Sequence, residues 1–310
     1  MNKINNKKDK DDNMQNDTLM NRTSAGIQIL NQTQSNQDTT RIKIMDSEVN
    51  KRNQFDKMDK PYVKVAELRL YIFSAIIDTT FDDKTTYRVM VHGWQHTSVS
   101  GSRITCCIML FNRTILSLSG TSETPFTYPN KSILDAKLYR CLFNANVKEI
   151  EGISIRINNS TCVTEMKYYI KPIIRESNKH SGSEIGVCAK FVYGDIGATK
   201  LIEWFEVHRL FGVNNVIVYT YKLNNDAYKV LEYYEKLGIA VIVRGYDEPE
   251  KDIYPREVGE KNPQVWIDEQ VILMDCLTRL DGYKYVSVID VDEYMVPNVN
   301  SFKGAWINFF

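Results

Sequence analysis

The sequence predicts two folded regions of different class. Residues 61–178 are predicted to form an antiparallel, β-sandwich-like domain, and residues 184–310 an α/β domain with a mostly parallel, Rossmann-like sheet covered by helices. Short β-rich segments without helices between them indicate the first domain, and strictly alternating strands and helices indicate the second. Residues 1–60 show no sustained apolar period, which separates them from both.

The first 60 residues are dominated by Asn, Asp, Lys, Gln and Thr, with only isolated apolar residues. Such a segment cannot bury enough apolar surface to offset the entropy lost on ordering. We therefore expect a disordered or weakly helical polar tail.

The β-rich region contains short runs of β-branched and aromatic residues, bounded by Asp, Gly, Ser, Asn and Pro. They read "YVKVAELRLYIFSAII", "TTYRVMVHGW", "SRITCCIMLFN" and "ISIRIN". Regular short strands without intervening helices favour an antiparallel sandwich or a small barrel.

The α/β region opens with the strand candidate "EIGVCAKFVYG", followed by a helical period in "ATKLIEWFEVHRLFG". One face of this helix is predicted to be apolar and to carry Leu201, Trp204, Phe205, His208 and Phe211. Further along, strands and helices alternate through "VNNVIVYTY", "NDAYKVLEYYEKLG", "IAVIVRGY", "NPQVWIDEQVILMDCLTRLDG" and "YKYVSVID". This alternation predicts a parallel sheet covered by helices.

The composition and net charge limit the kinds of partner that the protein is expected to bind. The 310 residues are 43% hydrophobic and 25% charged, with a formal net charge of zero. No global field would attract nucleic acid or an anionic membrane, so we expect no nucleic-acid partner. The chain has no run of about 20 apolar residues, so we also expect no membrane segment in it.

Two features bear on the cellular compartment without deciding it. N-x-Ser/Thr acceptor sequences, which matter only in the secretory pathway, occur at Asn16, Asn21, Asn31, Asn112, Asn130, Asn158 and Asn159. The six cysteines permit many pairings, and cytosolic proteins also bury free thiols.

The stretch "YKYVSVIDVDEYMVP" ends an apolar strand with three carboxylates, Asp290, Asp292 and Glu293. In an open α/β sheet, ligands bind beyond the carboxyl ends of the strands. Side chains two residues apart on an extended segment point the same way, so Asp290 and Asp292 can face one Mg²⁺ or Mn²⁺ ion. The competing interpretation is a solvated strand end with a turn at Pro297.

Other polar or reactive residues have simpler interpretations. His208 and Trp204 lie on the apolar helix face and are expected to belong to the core. Cys188 and Cys276 are expected to be buried thiols or a structural pair, because no histidine pattern supports a nucleophile.

Four ordered segments together resemble glycosyltransferase family 92, whose members have a GT-A fold. They are "CAKFVYG", "LIEWFEVHRLFGVNNVIVYTY", "WIDEQVILMDCLTRL" and "YVSVIDVDEYMVP". The resemblance covers residues 184–310 and, more loosely, the β-rich region.

The resemblance implies metal-dependent transfer of a hexose, typically galactose, from a UDP-sugar such as UDP-galactose to a glycan acceptor, with inversion. Asp290 and Asp292 would hold Mn²⁺ or Mg²⁺, and Asp290 would also face the donor diphosphate. By position alone, the donor site is expected to include Cys188, Ala189, Lys190, Glu203, Gln270 and Asp275. The Golgi lumen is the expected compartment.

The sequence also differs from the pattern of family 92. The catalytic base and the acceptor pocket of such domains follow the Asp-x-Asp strand, and only residues 293–310 follow it here. We nominate no catalytic base, and we expect the chain to be C-terminally truncated and inactive by itself, with an inactive paralogue as the next interpretation. The membrane anchor usual for the family is not visible either.

Two rival functions stay open. One is a non-catalytic glycan-binding or interaction protein with a degenerate transferase domain, which the strand-rich region favours. The other is a phosphotransfer enzyme with Asp290 as nucleophile, which Tyr294 disfavours because such loops usually carry Thr or Val at that step.

Overall fold

The computed structural model describes residues 62–65, 69–79, 86–99, 103–125, 133–158, 160–175, 185–246, 249 and 264–296. By its contacts the chain divides into Met1–Arg52 and Asn53–Phe310, and every described residue belongs to the second unit. The predicted polar tail, residues 1–60, lies outside the described residues. So does the predicted domain boundary between residues 178 and 184, and the domain limits stay a prediction.

Eight strands between residues 63 and 175 form one mainly antiparallel sheet. The strands are β1 (Val63–Val65), β2 (Leu70–Asp78), β3 (Tyr87–His96), β4 (Ile104–Leu110), β5 (Ile115–Glu123), β6 (Leu134–Phe143), β7 (Ile150–Ile157) and β8 (Ile173–Arg175). Their order is β1-β2-β3-β6-β5-β4-β7, and β8 pairs with β2 in parallel. Short 3₁₀ turns lie at Val147–Glu149 and Met166–Tyr168.

Alternating residues of this sheet build one core on its inner face. Residues of β1 to β4, β6 and β7 share a single buried cluster, which includes Ile72, Val91, Ile108, Tyr139 and Ile155. The predicted antiparallel pairing is confirmed. The described strands form one continuous curved sheet instead of two facing sheets, because β6, β5, β4 and β7 pair in series.

The α/β region forms a four-stranded parallel sheet, as the alternation predicts. Its strands are β9 (Ile185–Gly194), β10 (Val213–Leu223), β11 (Ala240–Val243) and β12 (Tyr285–Ile289), and its helices are α1 (Ala198–Leu210), α2 (Asn225–Lys236) and α3 (Gln264–Arg279). Helices α1 and α2 cover one face through Leu201, Trp204, Phe205, Leu231 and Tyr234.

Helix α3 lies between the two sheets. Its residues Val271, Ile272 and Cys276 share one buried cluster with Trp94 of β3 and Tyr219 of β10. The described layers are therefore the curved sheet, α3, the parallel sheet, and then α1 with α2. No described helix is long and apolar enough to cross a membrane.

The six cysteines form three disulfide bonds, Cys106–Cys141, Cys107–Cys162 and Cys188–Cys276. The pairing that the sequence left open is thereby decided. The third bond links β9 to α3, so the helix between the sheets is covalently attached to the central part of the parallel sheet.

Candidate functional site

The order of the parallel strands creates a crevice at one edge of the sheet. The chain passes from β9 outward to β10 and β11, then returns through α3 to place β12 on the other side of β9. The strand order therefore reverses between β9 and β12, and such a reversal is the topological switch point where open α/β sheets bind ligands. Strands β9 and β12 pair in register up to Ala189 and Ile289.

A charged residue follows each of these two paired positions, Lys190 within β9 and Asp290 directly after β12, and the two charges lie side by side. The ammonium Nζ of Lys190 is 3.5 Å from Oδ2 of Asp290 and 3.0 Å from Oε1 of Glu269 on α3. The hydrogen bond to Glu269, with further support from Asp290, raises the pKa of Lys190. Lys190 is therefore a fixed cation at the carboxyl edge of the sheet, held between two carboxylates.

A tight turn carries the carboxylates that follow β12. The backbone N–H of Asp290 donates to Oε2 of Glu293 at 3.0 Å, and the backbone N–H of Glu293 donates to the carbonyl of Asp290 at 3.0 Å. The side chain of Asp290 is 46% exposed, and Asp292 is exposed as well. Both carboxylates are therefore accessible to solvent beyond the end of β12 instead of being buried in structural pairs.

Helix α1 holds this turn in place through two residues that sequence reasoning treated as core only. The indole N–H of Trp204 donates to the carbonyl of Glu293 at 2.8 Å, and the N–H of Met295 donates to Nε2 of His208 at 3.4 Å. Nδ1 of His208 donates to the carbonyl of Trp204 at 2.7 Å, which leaves Nε2 as the acceptor of a neutral ring. Burial lowers the pKa of His208 and favours that neutral form. Trp204 and His208 therefore position the segment after β12.

Comparison with known proteins finds a family for the α/β region. Residues 183–310 match the family described as Glycosyltransferase family 92. These residues are similar to glycosyltransferase family 92. The predicted resemblance is confirmed over this range, and the match supports glycosyltransferase activity that uses a sugar donor and a glycan acceptor.

Two further comparisons add no argument. No curated protein matches the chain. A solved structure described as "Glycosylation Associate Protein (Gap123) complex from Streptococcus agalactiae" covers 72% of this chain and 85% of its own, at 9% identity and a TM-score of 0.13.

Within the family 92 region, the predicted donor-site residues separate into two groups. Lys190 and Asp290 lie at the crevice edge and Asp292 is exposed in the turn after β12, whereas Cys188 and Ala189 are buried on β9. A small pocket between β9 and α3 is nevertheless lined by Cys188, Ala189, Lys190, Tyr219, Glu269, Ile272, Leu273 and Cys276. Lys190 and Glu269, which pair at 3.0 Å, are its two charged lining residues.

Glu203, Gln270 and Asp275 occupy other positions. Glu203 is exposed on α1, and Gln270 is buried on α3, where its Oε1 has no hydrogen-bond partner among the described residues. Their assignment to the donor site stays a prediction. Glu269 was missed, although it directly precedes Gln270, because its importance comes from its contact with Lys190 across the fold.

Asp275 is the centre of a buried polar junction. Its carboxylate accepts hydrogen bonds from Ser74 at 2.5 Å, from Tyr219 at 2.6 Å and from Arg279 at 2.7 Å. Burial alone would raise its pKa, but the charge of Arg279 and the bonds from Ser74 and Tyr219 outweigh burial and lower it. Asp275 therefore joins β2, β10 and α3 as an anion, away from the crevice edge.

The bulge in β2 explains why the curved sheet reaches this junction. The register of β2 with β3 shifts between Ile72 and Ser74, so Phe73 and Ser74 both face α3. His92, on β3, lies 2.9 Å from the Ser74 hydroxyl and 3.0 Å from the Thr278 hydroxyl. Complete burial lowers the pKa of His92 to about 4, so the ring is neutral at pH 7.

The resemblance to family 92 predicts a divalent cation, and the carboxylates that follow β12 have donor atoms of a suitable type. Carboxylate oxygens are the ligands that Mg²⁺ and Mn²⁺ prefer. Among the described residues, no group of three or more His, Cys, Asp or Glu side chains is placed to hold a metal ion. Asp290 and Asp292 could supply two ligands, and the remaining positions would go to phosphate or water oxygens.

Proposed function

We propose that the family 92 region belongs to an enzyme that transfers a hexose, typically galactose, from a UDP-sugar to a glycan acceptor with inversion. The observation that carries the proposal is the placement of Lys190 and Asp290 on adjacent strands at the switch point, within residues 183–310 that match the family. We further propose that this region is the donor-binding part of a GT-A fold, since its strand order corresponds to the 3-2-1-4 core of doubly wound sheets.

In this proposal Asp290 and Asp292 hold Mn²⁺ or Mg²⁺. The bound cation would neutralise charge on the departing UDP diphosphate. Lys190 adds a permanent positive charge at the same edge, and Glu269 keeps its ammonium directed there. Trp204 and His208 fix the turn that carries the carboxylates, which limits the reorganisation needed when a donor binds.

The three disulfide bonds support a lumenal location for this reaction. Disulfides form and persist in oxidising compartments and are rare in the cytosol. The described cysteines are all paired. We therefore propose the Golgi lumen as the working compartment, where nucleotide-sugar donors and glycan acceptors meet.

Calorimetric titration of the purified chain with UDP, with and without Mn²⁺, tests the donor site. We expect UDP binding that requires Mn²⁺ and that weakens at least about tenfold in Asp292→Asn, the loss expected when one charge-assisted ligand is removed. Asp226→Asn is the matched control, because Asp226 is an exposed aspartate on α2 that pairs only locally with Lys229 at 3.0 Å.

The results would show whether the crevice binds UDP through Asp292. Wild-type protein that binds no UDP with Mn²⁺, or Asp292→Asn protein that binds it as tightly as wild type, would contradict the proposed donor site. A similar loss in Asp226→Asn would show that the effect is general and does not come from the crevice.

A further inference from the structure

The tip of the β4–β5 hairpin carries an acceptor sequence that the proposed transfer does not use. Between the end of β4 at Leu110 and the start of β5 at Ile115, residues 111–114 are all exposed. They include Asn112, Arg113 and Thr114, which form an N-x-Thr tripeptide. Such tripeptides accept N-linked oligosaccharides in the secretory pathway.

The turn holds this asparagine in an ordered, accessible position. Oδ1 of Asn112 accepts the backbone N–H of Thr114 at 2.9 Å. Backbone bonds from Leu110 to Thr114 at 2.9 Å and from Arg113 to Leu110 at 2.8 Å close the hairpin beneath it. The bond at Oδ1 leaves Nδ2, the atom that takes the sugar, on the other side of the side-chain amide.

The exposed ring beside Asn112 is a second, independent observation. Phe111 is 64% exposed at the hairpin tip, where its backbone N–H is fixed by the carbonyl of Glu149 at 2.9 Å. An apolar ring held in water is unfavourable, and the C–H face of a sugar is a suitable cover for an aromatic face. A glycan on the next residue would supply that cover.

The disulfide bonds near this hairpin indicate that the protein folds in an oxidising compartment. Cys106 and Cys107, on the strand that leads into the hairpin, are both paired, with Cys141 and Cys162. Compartments that form disulfides are the ones in which N-linked oligosaccharides are transferred. The acceptor sequence and the covalent framework therefore indicate the same environment.

The other described acceptor is less suited to modification. Asn158 has a backbone φ of 55°, and its backbone N–H donates to the carbonyl of Arg103 at 3.1 Å. The hydroxyl of Ser160, which completes that tripeptide, is part-buried and donates to the carbonyl of Ile157. The acceptors at Asn16, Asn21, Asn31, Asn130 and Asn159 lie outside the described residues.

We propose that Asn112 is an N-glycosylation site and that the first sugar of its glycan covers Phe111. In the transfer, Nδ2 of Asn112 forms a bond to C1 of an oligosaccharide carried on a lipid diphosphate. The bond from C1 to the diphosphate oxygen breaks, its electron pair leaves with the lipid diphosphate, and Nδ2 loses one proton. This inference is independent of the proposed sugar transfer by residues 183–310.

Site-resolved mass spectrometry tests the modification. The full chain is directed into the secretory pathway of insect cells, and its glycans are released by a peptide-N-glycosidase in ¹⁸O water, which marks each former glycosylation site as labelled aspartate. We expect the label at position 112 in most molecules, its loss in Thr114→Ala and its retention in Thr114→Ser. Unlabelled Asn112 in the secreted wild type, or persistent label in Thr114→Ala, would overturn the proposal.

A thermal measurement tests the contact with Phe111. Enzymatic removal of the glycan is expected to lower the Tm of the wild type by about 2–4 °C, which corresponds to roughly 1 kcal/mol in a protein of this size. In Phe111→Ser the same treatment should shift the Tm by less than half as much. Equal shifts in the two proteins would show that the sugar does not cover the ring.

Discussion

The curved antiparallel sheet and the parallel sheet place their charged side chains differently. In the curved sheet, Asp78 on β2 is buried and pairs with Arg88 on β3 and Arg175 on β8, both at 2.7 Å. In the parallel sheet, Lys190 lies within β9 and Asp290 directly follows the adjacent strand β12, and both side chains remain partly exposed. Antiparallel strands send their carboxyl ends to both edges, whereas parallel strands collect them at one.

This difference explains where chemistry can develop in the molecule. Charges within the curved sheet satisfy each other across strands and serve stability, while the parallel sheet leaves cation and carboxylates open to a ligand. Helix α3 belongs to both regions, since Asp275 and the apolar cluster around it contact both sheets. Substitutions at this junction, at its buried histidine and at the crevice would test the difference between the two sheets.

The largest effect is expected from Asp275→Ala. The change removes a fully buried carboxylate that accepts bonds from Ser74, Tyr219 and Arg279, and leaves the buried charge of Arg279 without it. Breaking a buried ion pair from one side costs about 3–5 kcal/mol of unfolding free energy. Urea unfolding should measure this loss, and hydrogen exchange should show faster opening of amides in both β3 and β10.

Asp226→Ala provides the control for this loss. Asp226 is exposed on α2, and its removal should cost about 0.5 kcal/mol or less. If Asp275→Ala accelerates exchange in one sheet only, the two regions are stabilised separately and the shared junction is not the link between them.

The next largest effect is a loss of unfolding free energy at acidic pH, caused by protonation of His92. The pKa of His92 is lowered to about 4 in the folded protein because the ring is fully buried, against about 6.5 in an unfolded chain. The folded state therefore favours the neutral ring, and this contribution is complete above pH 6.5 and is lost as the pH falls from 6.5 toward 4. The loss is about 3 kcal/mol.

Urea midpoints measured between pH 7 and pH 4 would detect this loss. In His92→Gln the slope should be clearly smaller, and a residual slope should remain because burial also lowers the pKa of His208 and of His96. A slope in His92→Gln equal to that of the wild type would exclude His92 as the main titrating group of the junction.

The smallest of the three effects is expected at the crevice, from Lys190→Met. The substitution keeps most of the side-chain volume and removes the cation between Glu269 and Asp290. If Lys190 faces the donor diphosphate, UDP affinity in the presence of Mn²⁺ should fall about tenfold, the equivalent of 1.4 kcal/mol. Calorimetric titration measures the change.

Lys137→Met is the matched control, because it removes a part-buried lysine from β6 of the curved sheet, where the ammonium lies 3.7 Å from Asp135. We expect its UDP affinity to equal that of the wild type. Equal losses of UDP affinity in Lys190→Met and Lys137→Met would mean that the positive charge of Lys190 does not act on UDP in the crevice.

Much of the secondary structure of the parallel region could be predicted from the sequence because its helices are amphipathic and its strands are apolar. In α1, the predicted apolar face is correct for Leu201, Trp204, Phe205 and His208, which are buried. Phe211 is only partly buried because the helix ends at Leu210. The motif at Asp290 was visible as well, since carboxylates directly follow a strand.

Contacts between distant segments could not be predicted in this way. The distance from Lys190 to Glu269 depends on α3 returning across the sheet, and the bond from Trp204 to Glu293 spans most of the region. The bulge at Ile72 and Ser74, which directs Ser74 toward Asp275, leaves no sign in the apolar pattern of β2. Neither the continuous curved sheet nor the disulfide pairing could be read from spacing.

The sequence alone determined which segments are strands and helices, the family of residues 183–310 and the presence of carboxylates after β12. Local periodicity and short motifs carry that information, because each depends only on neighbouring residues. Tertiary structure decided that β12 lies beside β9, that α3 lies between two sheets, and that Lys190 faces Asp290. These outcomes depend on which surfaces pack together across long separations, and no local pattern specifies that choice.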